Sequence, residues 1–228
     1  MRTAERDAVL SAVADQACAQ SRERVLVAID GRSGAGKSTF ADELASTLRE
    51  RGVSVIRSTT DSFHRPRDTR LQRGASSADG FYLDSHQLDR ILDDVLIPFR
   101  DGAREVLVAA FDEPTDTPLE IVRAVESSAV LVFDGLFLHR PEFAHLWDVS
   151  IHLDADERCN AEWLQFLLDD LPSNSTERAA EVDRRLDLAR WPRYRRSWSS
   201  YVGDITPARL ATVVIDNNDL ASPRLLTT

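Results

Sequence analysis

The chain has 228 residues, of which 43% are hydrophobic and 29% charged, and its formal net charge is −10. A chain of this length is expected to form one domain over residues 1–228. The acidic balance argues against general nucleic-acid binding, which requires a basic face. The apolar runs are too short to cross a bilayer, and the N-terminus has no apolar signal-peptide block. We therefore expect a cytoplasmic protein with no membrane or nucleic-acid partner.

Helical and extended patterns alternate from the N-terminus onward. A helix is expected at about residues 4–20, a buried strand at 25–29 and a helix at 37–50. Residues 53–56 are expected to begin a second strand. Residues 57–80 are polar and are predicted to form a loop. A helix over residues 88–96 is expected to stop at Pro98, because proline disrupts a helix interior.

The second half of the chain continues this alternation. Extended segments are predicted at residues 104–111, 119–125, 129–133, 149–153 and 212–215. Residues from about 157 to 196 are predicted to be mainly helical and to form a lid. Strands that alternate with helices predict an α/β fold, in which a doubly wound parallel sheet of about five strands carries helices on both faces.

A glycine-rich segment joins the first strand to the helix that follows it. Residues 31–38, GRSGAGKS, match the phosphate-binding pattern G-x-x-x-x-G-K-[ST] in the strand-to-helix context that it requires. Glycines allow the backbone amides to form an anion nest, and the helix N-terminus adds positive potential. We therefore expect a P-loop NTPase that binds ATP. The predicted nucleotide-binding residues are Gly31, Ser33, Gly34, Ala35, Gly36, Lys37, Ser38 and Thr39.

Lys37 is the only lysine in the chain. Its compact ammonium can reach the β- and γ-phosphates inside a tight loop, where the longer, forked guanidinium of arginine is not equivalent. The Ser38 hydroxyl is a predicted ligand of Mg²⁺. Asp134, which ends an apolar strand, is a second predicted Mg²⁺ ligand, and an ordinary acidic turn is the alternative interpretation of that residue.

The residues around these motifs favour phosphate transfer to an alcohol over nucleotide hydrolysis. A GTPase needs a second lysine to read its base, and an ABC-type ATPase needs an LSGGQ-like signature; the sequence contains neither. Gly135 follows Asp134 where many ATPases have a water-activating glutamate. Asp61, after the second strand, is expected to orient the acceptor hydroxyl as a base. A capping aspartate in a turn is the alternative for Asp61.

Five segments together resemble the uridine kinase and phosphoribulokinase-type kinases. They are DGRSGAGKSTFADELA, TTDSFHRPR, DGFYLDSHQL, VFDGLFLHRPE and VVIDNND, and they occur in the family's order. The resemblance extends over most of residues 25–219. It implies an ATP- and Mg²⁺-dependent kinase in which Asp61 is the base and Asp84 binds ribose hydroxyls. The acceptor-pocket residues that it implies are Asp61, Phe63, His64 and Arg67.

The same resemblance implies arginines that cover the phosphates and stabilise charge in the transition state. Arg158 matches the first position of the family's lid pattern R-x-x-x-R-x-x-R-D, and Arg193 aligns with an R-Y pair ahead of the last strand. The later lid arginines are missing from that pattern, and Arg190 is a candidate replacement. A solvated helix face, on which these arginines pair with nearby acids, is the alternative.

Residues 111–118, FDEPTDTP, depart from the family's Y-D-x-x-x-H-x-R stretch. Without that histidine and arginine the pocket is not expected to read uracil in the usual way, because hydrogen-bonding groups give the large discriminations between substrates. We expect the acceptor to be a nucleoside or a related alcohol. Two other functions stay open: a nucleotide-binding module without transfer activity, and a nucleoside monophosphate kinase. The sequence also leaves a homo-oligomer open.

Overall fold

The computed structural model of the protein describes residues 3–156 and 191–226. Arg158 and Arg190, both predicted to be catalytic, lie outside the described residues, as does most of the predicted lid. None of the helices in the described ranges is both long enough and apolar enough to cross a bilayer.

A six-stranded sheet lies at the centre of the fold. Within the described residues the strands are β1 Arg24–Gly31, β2 Val55–Thr59, β3 Glu105–Asp112, β4 Thr117–Ala124, β5 Ala129–Gly135, β6 Val149–Asp154, β7 Val213–Asp216 and β8 Arg224–Leu226. The sheet order is β2-β5-β1-β6-β7-β8, and β3 and β4 form a separate antiparallel pair. The first five strands of that order are parallel, as predicted. The antiparallel β8 was not predicted, because its three exposed residues carry no buried apolar pattern.

Helices cover both faces of this sheet, which confirms the predicted arrangement. They are α1 Ala4–Cys18, α2 Lys37–Glu50, α3 Arg67–Arg70, α4 Ala78–Asp84, α5 Leu88–Arg90, α6 Ile97–Arg100, α7 Trp191–Ile205 and α8 Pro207–Leu210. All eight residues of β1 are buried, as expected for a strand covered on both sides. Val27 and Ile29 pack in the cluster that contains α1 and α2, whereas Leu26 and Ala28 pack on the opposite side with Ile91 and Phe99.

The predicted helix stop at Pro98 is wrong, because residues 88–100 form one helical stretch. A π-helical segment, Ile91–Leu96, joins α5 to α6. Pro98 lies in the first turn of α6. Pro98 has no amide hydrogen to donate to the preceding turn, and the wider π-helical turns before it accommodate its ring. The stretch therefore continues to Arg100.

The predicted loop over residues 57–80 is wrong in part. This stretch contains the end of β2, a 3₁₀ turn at Thr60–Phe63, all of α3 and the start of α4. The helices have only four and seven residues, so their sequences are too short to display a helical period. Ser77 caps α4 by accepting a hydrogen bond from the Gly80 amide, as short polar residues commonly do.

A third apolar cluster joins α4 to α7 near the carboxyl ends of the strands. Phe81 of α4, Phe137 and Tyr201 of α7 form its buried centre. The ring centroids of Phe137 and Tyr201 lie 5.1 Å apart in an edge-to-face arrangement, which is a geometry that aromatic pairs prefer. This cluster holds α7 beside the sheet edge at which the candidate active site lies.

Candidate active site

The P-loop follows β1 and leads into α2. Gly34 and Gly36 have φ angles of +76° and +79°, a left-handed conformation that suits glycine. A Cβ added at Gly36 would also lie 3.1 Å from Nδ2 of Asn217. Glycine is therefore favoured there by the backbone angle, and a side chain would also crowd Asn217. Of the other predicted nucleotide-binding residues, Gly31 and Ala35 are buried. Four are exposed or half-buried: Ser33, Lys37, Ser38 and Thr39.

Lys37 lies where three strand ends converge. Its ammonium donates a hydrogen bond to the carbonyl oxygen of Arg32 at 2.8 Å, within the same loop. Burial lowers the pKa of Lys37, and three carboxylates act in the opposite direction; they belong to Asp61, Asp134 and Asp30. Asp134 and Asp30 lie near the ends of β5 and β1, and Asp61 lies in the turn after β2, so the ammonium is a counter-charge that all three share.

Ser38 and Asp134 form a pair of oxygen donors next to the P-loop. Ser38 Oγ donates a hydrogen bond to Asp134 Oδ2 at 2.8 Å. The strand register sets Asp134 between Ile29 on β1 and Thr59 on β2. A hydroxyl and a carboxylate are the hard oxygen ligands that Mg²⁺ prefers. The two residues therefore fit the predicted Mg²⁺ site.

Asp134 has a second partner that the sequence did not predict. Arg57 on β2 donates to Asp134 Oδ1 at 2.9 Å and to Asp42 at 3.0 Å. Burial raises the pKa of Asp134 above its ordinary value, although Arg57 and Ser38 oppose that shift. Arg57 thus compensates part of the charge of a carboxylate that is 1% exposed.

A buried carboxylate near the end of β1 supports the P-loop. Asp30, the residue before Gly31, accepts hydrogen bonds from the Gly31 amide at 2.9 Å and the Tyr201 hydroxyl at 2.6 Å. His139 Nδ1 lies 3.0 Å from the same carboxylate. Burial alone would raise the pKa of Asp30, but the contacts with His139 and Tyr201 lower it below its ordinary value. Asp30 was not among the predicted site residues, although an acidic residue at the end of a fully buried strand is unusual and indicates a functional or structural role.

Asn217 supports the loop from the other side. Its Nδ2 donates to the Ala35 carbonyl oxygen at 2.7 Å, and its side chain is buried. Arg6 of α1 donates to the Leu220 carbonyl oxygen nearby at 2.8 Å. Asn217 therefore restrains the P-loop backbone, and Arg6, from the other end of the chain, contacts the segment that carries Asn217.

Gly135 brings the Asp61 turn close to β5. A Cβ added at Gly135 would collide with Oγ1 and Cγ2 of Thr60, and Thr60 is itself buried. Asp61 follows Thr60, and its amide donates to Thr59 Oγ1 at 3.3 Å. The absence of a side chain at position 135 therefore lets the turn that carries Asp61 pack against the end of the Asp134 strand.

A cavity of about 590 Å³ opens beside the P-loop. Its wall includes Ser33 of the P-loop and four residues predicted for catalysis or acceptor binding: Asp61, His64, Arg67 and Arg193. Other wall residues were not among the predicted site residues, chiefly Arg70, His86, Asp112, Glu113 and Asp116. They come from α3, the segment between α4 and α5, and the end of β3 with the turn that follows it, which are far apart in sequence. No local motif connects these segments.

Two predicted pocket residues do not line this cavity. Phe63 is fully buried in the core with Leu96 and Phe99, because it is the apolar position of the 3₁₀ turn that faces inward. Asp84 is buried and accepts a hydrogen bond from Arg73 Nε at 2.7 Å. The prediction that Phe63 lines the acceptor pocket is wrong, and the Asp84 carboxylate contacts an arginine of the chain.

Arg193 and Arg70 bring positive charge to the cavity in different ways. Arg193 is 4% exposed; it donates to Ser85 Oγ at 3.2 Å, and its guanidinium lies 4.9 Å from the Phe81 ring centroid. Arg70 forms ion pairs with Glu113 at 2.8 Å and Asp116 at 3.2 Å. The FDEPTDTP stretch therefore contributes acids that pair with an arginine, where the family pattern has a histidine and an arginine.

Residues 26–181 match the phosphoribulokinase/uridine kinase family, and this match covers more than half of the chain. The chain belongs to that family. Uridine kinase from Leuconostoc citreum is 28% identical over 134 residues, which are 58% of this chain and 63% of that protein. Uridine kinase from Lactobacillus helveticus is 25% identical over 139 residues, 58% of this chain and 62% of that protein. The chain thus spans just under two thirds of these relatives.

Solved structures of family-like proteins share the fold. The structure of "a Possible Uridine Kinase from Bacillus stearothermophilus" matches with a TM-score of 0.70 at 20% identity, over 91% of this chain and 97% of that one. D-glycerate 3-kinase from Cryptococcus neoformans matches with a TM-score of 0.55 at 12% identity, over 84% and 87%. At these identities the likeness establishes a P-loop kinase fold and nothing about the acceptor.

Proposed function

We propose that this family member is an ATP- and Mg²⁺-dependent kinase that transfers the γ-phosphate to a hydroxyl of a nucleoside or a related small alcohol. One observation carries the proposal: Ser33 of the P-loop and Asp61 line the same cavity. A phosphate donor held on the loop and an alcohol in the cavity would meet at Asp61. We further propose that residues 1–228 form one kinase domain and that the enzyme acts in the cytoplasm.

The chemistry assigned to the chain's own residues is simple. The P-loop and Lys37 hold the triphosphate and offset its negative charge. Asp61 accepts the proton of the acceptor hydroxyl while the acceptor oxygen bonds to the γ-phosphorus and the bond to the ADP oxygen breaks. Ser38 and Asp134 are assigned to Mg²⁺, which in such enzymes neutralises charge that develops on the phosphates.

The acceptor is proposed from the polarity of the cavity. Glu113 and Asp116 lie there in ion pairs with Arg70, and Asp112 lines the same wall. Carboxylates accept hydrogen bonds from hydroxyl groups, so this wall suits an acceptor that carries several hydroxyls. Uracil recognition by the usual family residues is not expected, because residues 111–118 lack them.

A nucleoside monophosphate kinase is the second candidate. It is favoured by Arg67 and Arg193, which line the cavity where an acceptor phosphate would need positive charge. The same wall carries four carboxylates, those of Asp61, Asp112, Glu113 and Asp116. They disfavour a second phosphate, and for that reason the alcohol kinase is preferred.

The test is an ADP-release assay with ATP, Mg²⁺ and a panel of nucleosides, sugars, small alcohols and nucleoside monophosphates. We expect turnover with at least one alcohol. Asp61→Asn should lower that turnover by about 10²–10⁴-fold, the usual contribution of a general base, while ATP binding measured by calorimetry is retained. Asp93→Asn, at an exposed aspartate of the π-helical segment, is the matched control. ATP binding without ADP release from any acceptor would indicate a binding module instead.

A further inference from the structure

Two histidines face each other beside Asp61 and have no role in the proposed transfer. His64 and His86 form an isolated antiparallel β-bridge, and their ring centroids lie 4.6 Å apart. One ring nitrogen of each histidine and one carboxylate oxygen of Asp61 all lie within 4.8 Å of one another. Within the described residues, this is the one group of histidine, cysteine or acidic side chains close enough to share a metal ion.

The backbone fixes the two histidines relative to each other. The Gln87 amide donates to the Phe63 carbonyl oxygen at 2.8 Å, and the Arg65 amide donates to the Ser85 carbonyl oxygen at 2.9 Å. These bonds flank the histidines, which therefore occupy a non-hydrogen-bonded pair, the position at which cross-strand side chains approach most closely. Gln87 Nε2 also donates to the His64 carbonyl oxygen at 2.7 Å. The pair is thus preorganised, and no ligand is needed to bring the rings together.

The hydrogen bond at His64 determines which of its ring nitrogens keeps a lone pair. Nδ1 of His64 lies 2.9 Å from the Asp61 carbonyl oxygen. A carbonyl oxygen only accepts, so Nδ1 carries the proton of the neutral ring and Nε2 has the lone pair. Metal-binding histidines are commonly oriented in this way, with the other nitrogen donating to a backbone carbonyl.

The surroundings decide which cation fits. Two imidazoles and one carboxylate are ligands for Zn²⁺ and similar first-row ions, whereas Mg²⁺ prefers oxygen ligands alone. Three guanidiniums near His86, those of Arg140, Arg70 and Arg193, would repel a cation. Arg70 is paired with Glu113 and Asp116, and Arg140 with Glu142, so the charge of these two is offset locally. Arg193 donates to Ser85 Oγ, and its guanidinium lies over the Phe81 ring.

From this geometry we propose that Asp61, His64 and His86 form a binding site for Zn²⁺ or a similar first-row divalent cation, distinct from the Mg²⁺ site at Ser38 and Asp134. Three protein ligands leave a fourth tetrahedral position for water or an acceptor oxygen. A cation there engages the carboxylate that the proposed reaction needs as its base. On the proposed function, Zn²⁺ therefore inhibits turnover reversibly at the acceptor side.

Binding is tested without nucleotide or acceptor, so that its outcome does not depend on the proposed function. The full chain is titrated with Co²⁺ and followed by visible d–d absorption, and with Zn²⁺ by calorimetry in the presence of excess Mg²⁺. We expect one site with tetrahedral Co²⁺ bands. His64→Gln and His86→Gln should each weaken binding by at least about 10- to 100-fold, because loss of even an outer-shell partner commonly costs that much. Asp61→Asn should weaken it as well.

His145→Gln is the matched control, because His145 is an exposed histidine elsewhere in the chain and its loss should leave the affinity unchanged. His64 is half-buried and His86 buried, so His64→Gln keeps the test valid if His86→Gln fails to fold. Equal affinity in the wild type and His64→Gln would overturn the proposal, as would octahedral Co²⁺ bands or displacement of Zn²⁺ by Mg²⁺. Turnover that is insensitive to Zn²⁺, despite binding at these residues, would count against the assignment of Asp61 as base and not against the metal site.

Discussion

The nucleotide side and the acceptor side of the site are built differently. On the nucleotide side, a short contiguous motif at residues 31–38 is held by two buried residues, Asp30 and Asn217. The side chain of each forms a hydrogen bond with the backbone of the loop. On the acceptor side, side chains from several separate segments form ion pairs around an open cavity. The first arrangement depends on backbone shape and tolerates few sequences. The second depends on side chains and can change its ligand without changing the fold.

Among the variants that compare the two sides, Lys37→Arg is expected to have the largest effect, and it tests how narrowly the nucleotide side is specified. The substitution keeps the charge and changes its shape, and a guanidinium does not replace an ammonium in a tight loop. Turnover should fall by about 10²–10³-fold, the usual loss for one transition-state donor, as measured by ADP release. Arg49→Lys, the reverse exchange at an exposed arginine of α2, should leave turnover unchanged. Full activity in Lys37→Arg would mean that the loop accepts any cation.

Gly135→Ala should separate the two sides. The added methyl collides with Thr60 and displaces the turn that carries Asp61. We expect a loss of about 1–3 kcal/mol in the free energy of unfolding, as for other overpacked cores, and a fall in turnover with ATP affinity retained. Denaturant unfolding and calorimetry measure these quantities.

The matched control for that variant is Gly203→Ala. Gly203 lies within α7, and a Cβ there meets no atom within 4 Å. Alanine should stabilise the helix by about 0.5–1 kcal/mol. If both alanine variants were equally stable, the close contact between Gly135 and Thr60 would have no energetic weight.

Asp30→Asn tests the support beneath the P-loop. The substitution removes a buried charge that accepts hydrogen bonds from Gly31 and Tyr201. Asparagine keeps one acceptor oxygen but replaces the other by an NH₂ donor, so some of the buried donors lose their partner. Stability should fall by about 1–3 kcal/mol, and ATP affinity should fall with it. Tyr201→Phe removes one of these donors and should have a smaller effect of the same kind. A variant that lost stability but kept wild-type ATP affinity would show that Asp30 does not position the loop.

The smallest expected effect is the dependence of stability on pH, to which each side contributes one buried histidine. Burial lowers the pKa of His86, on the acceptor side, well below 6.5 and lowers that of His152, near Asp30, as well. Below pH 6.5 the unfolded chain binds protons that the folded rings do not, so stability falls as the pH falls, by at most about 1.4 kcal/mol per pH unit for each proton. His86→Gln and His152→Gln should each flatten this slope. An unchanged slope in both would contradict the burial effect.

The two sides also differ in how far the sequence predicts them. Contiguous patterns predict the parallel strands and the helix Lys37–Glu50. Ser38 and Asp134 were each predicted from such a motif, and the structure brings the two residues together. Tertiary contacts determine the parts that were missed. Arg57 on β2 reaches Asp134 on the neighbouring strand β5, and Phe63 packs into the core with Leu96 and Phe99. The pairing of His64 with His86 requires a bridge between residues 22 positions apart in sequence, which no local period signals.

The hydrogen bond from Asn217 to the Ala35 carbonyl joins residues 182 positions apart. During synthesis the loop motif therefore leaves the ribosome long before the amide that completes its support. A nascent chain that ends before residue 217 carries the whole G-x-x-x-x-G-K-S motif yet lacks this restraint on its backbone. This restraint on the loop is thus completed late, when the strand Val213–Asp216 has been added to the sheet and Asn217 follows it.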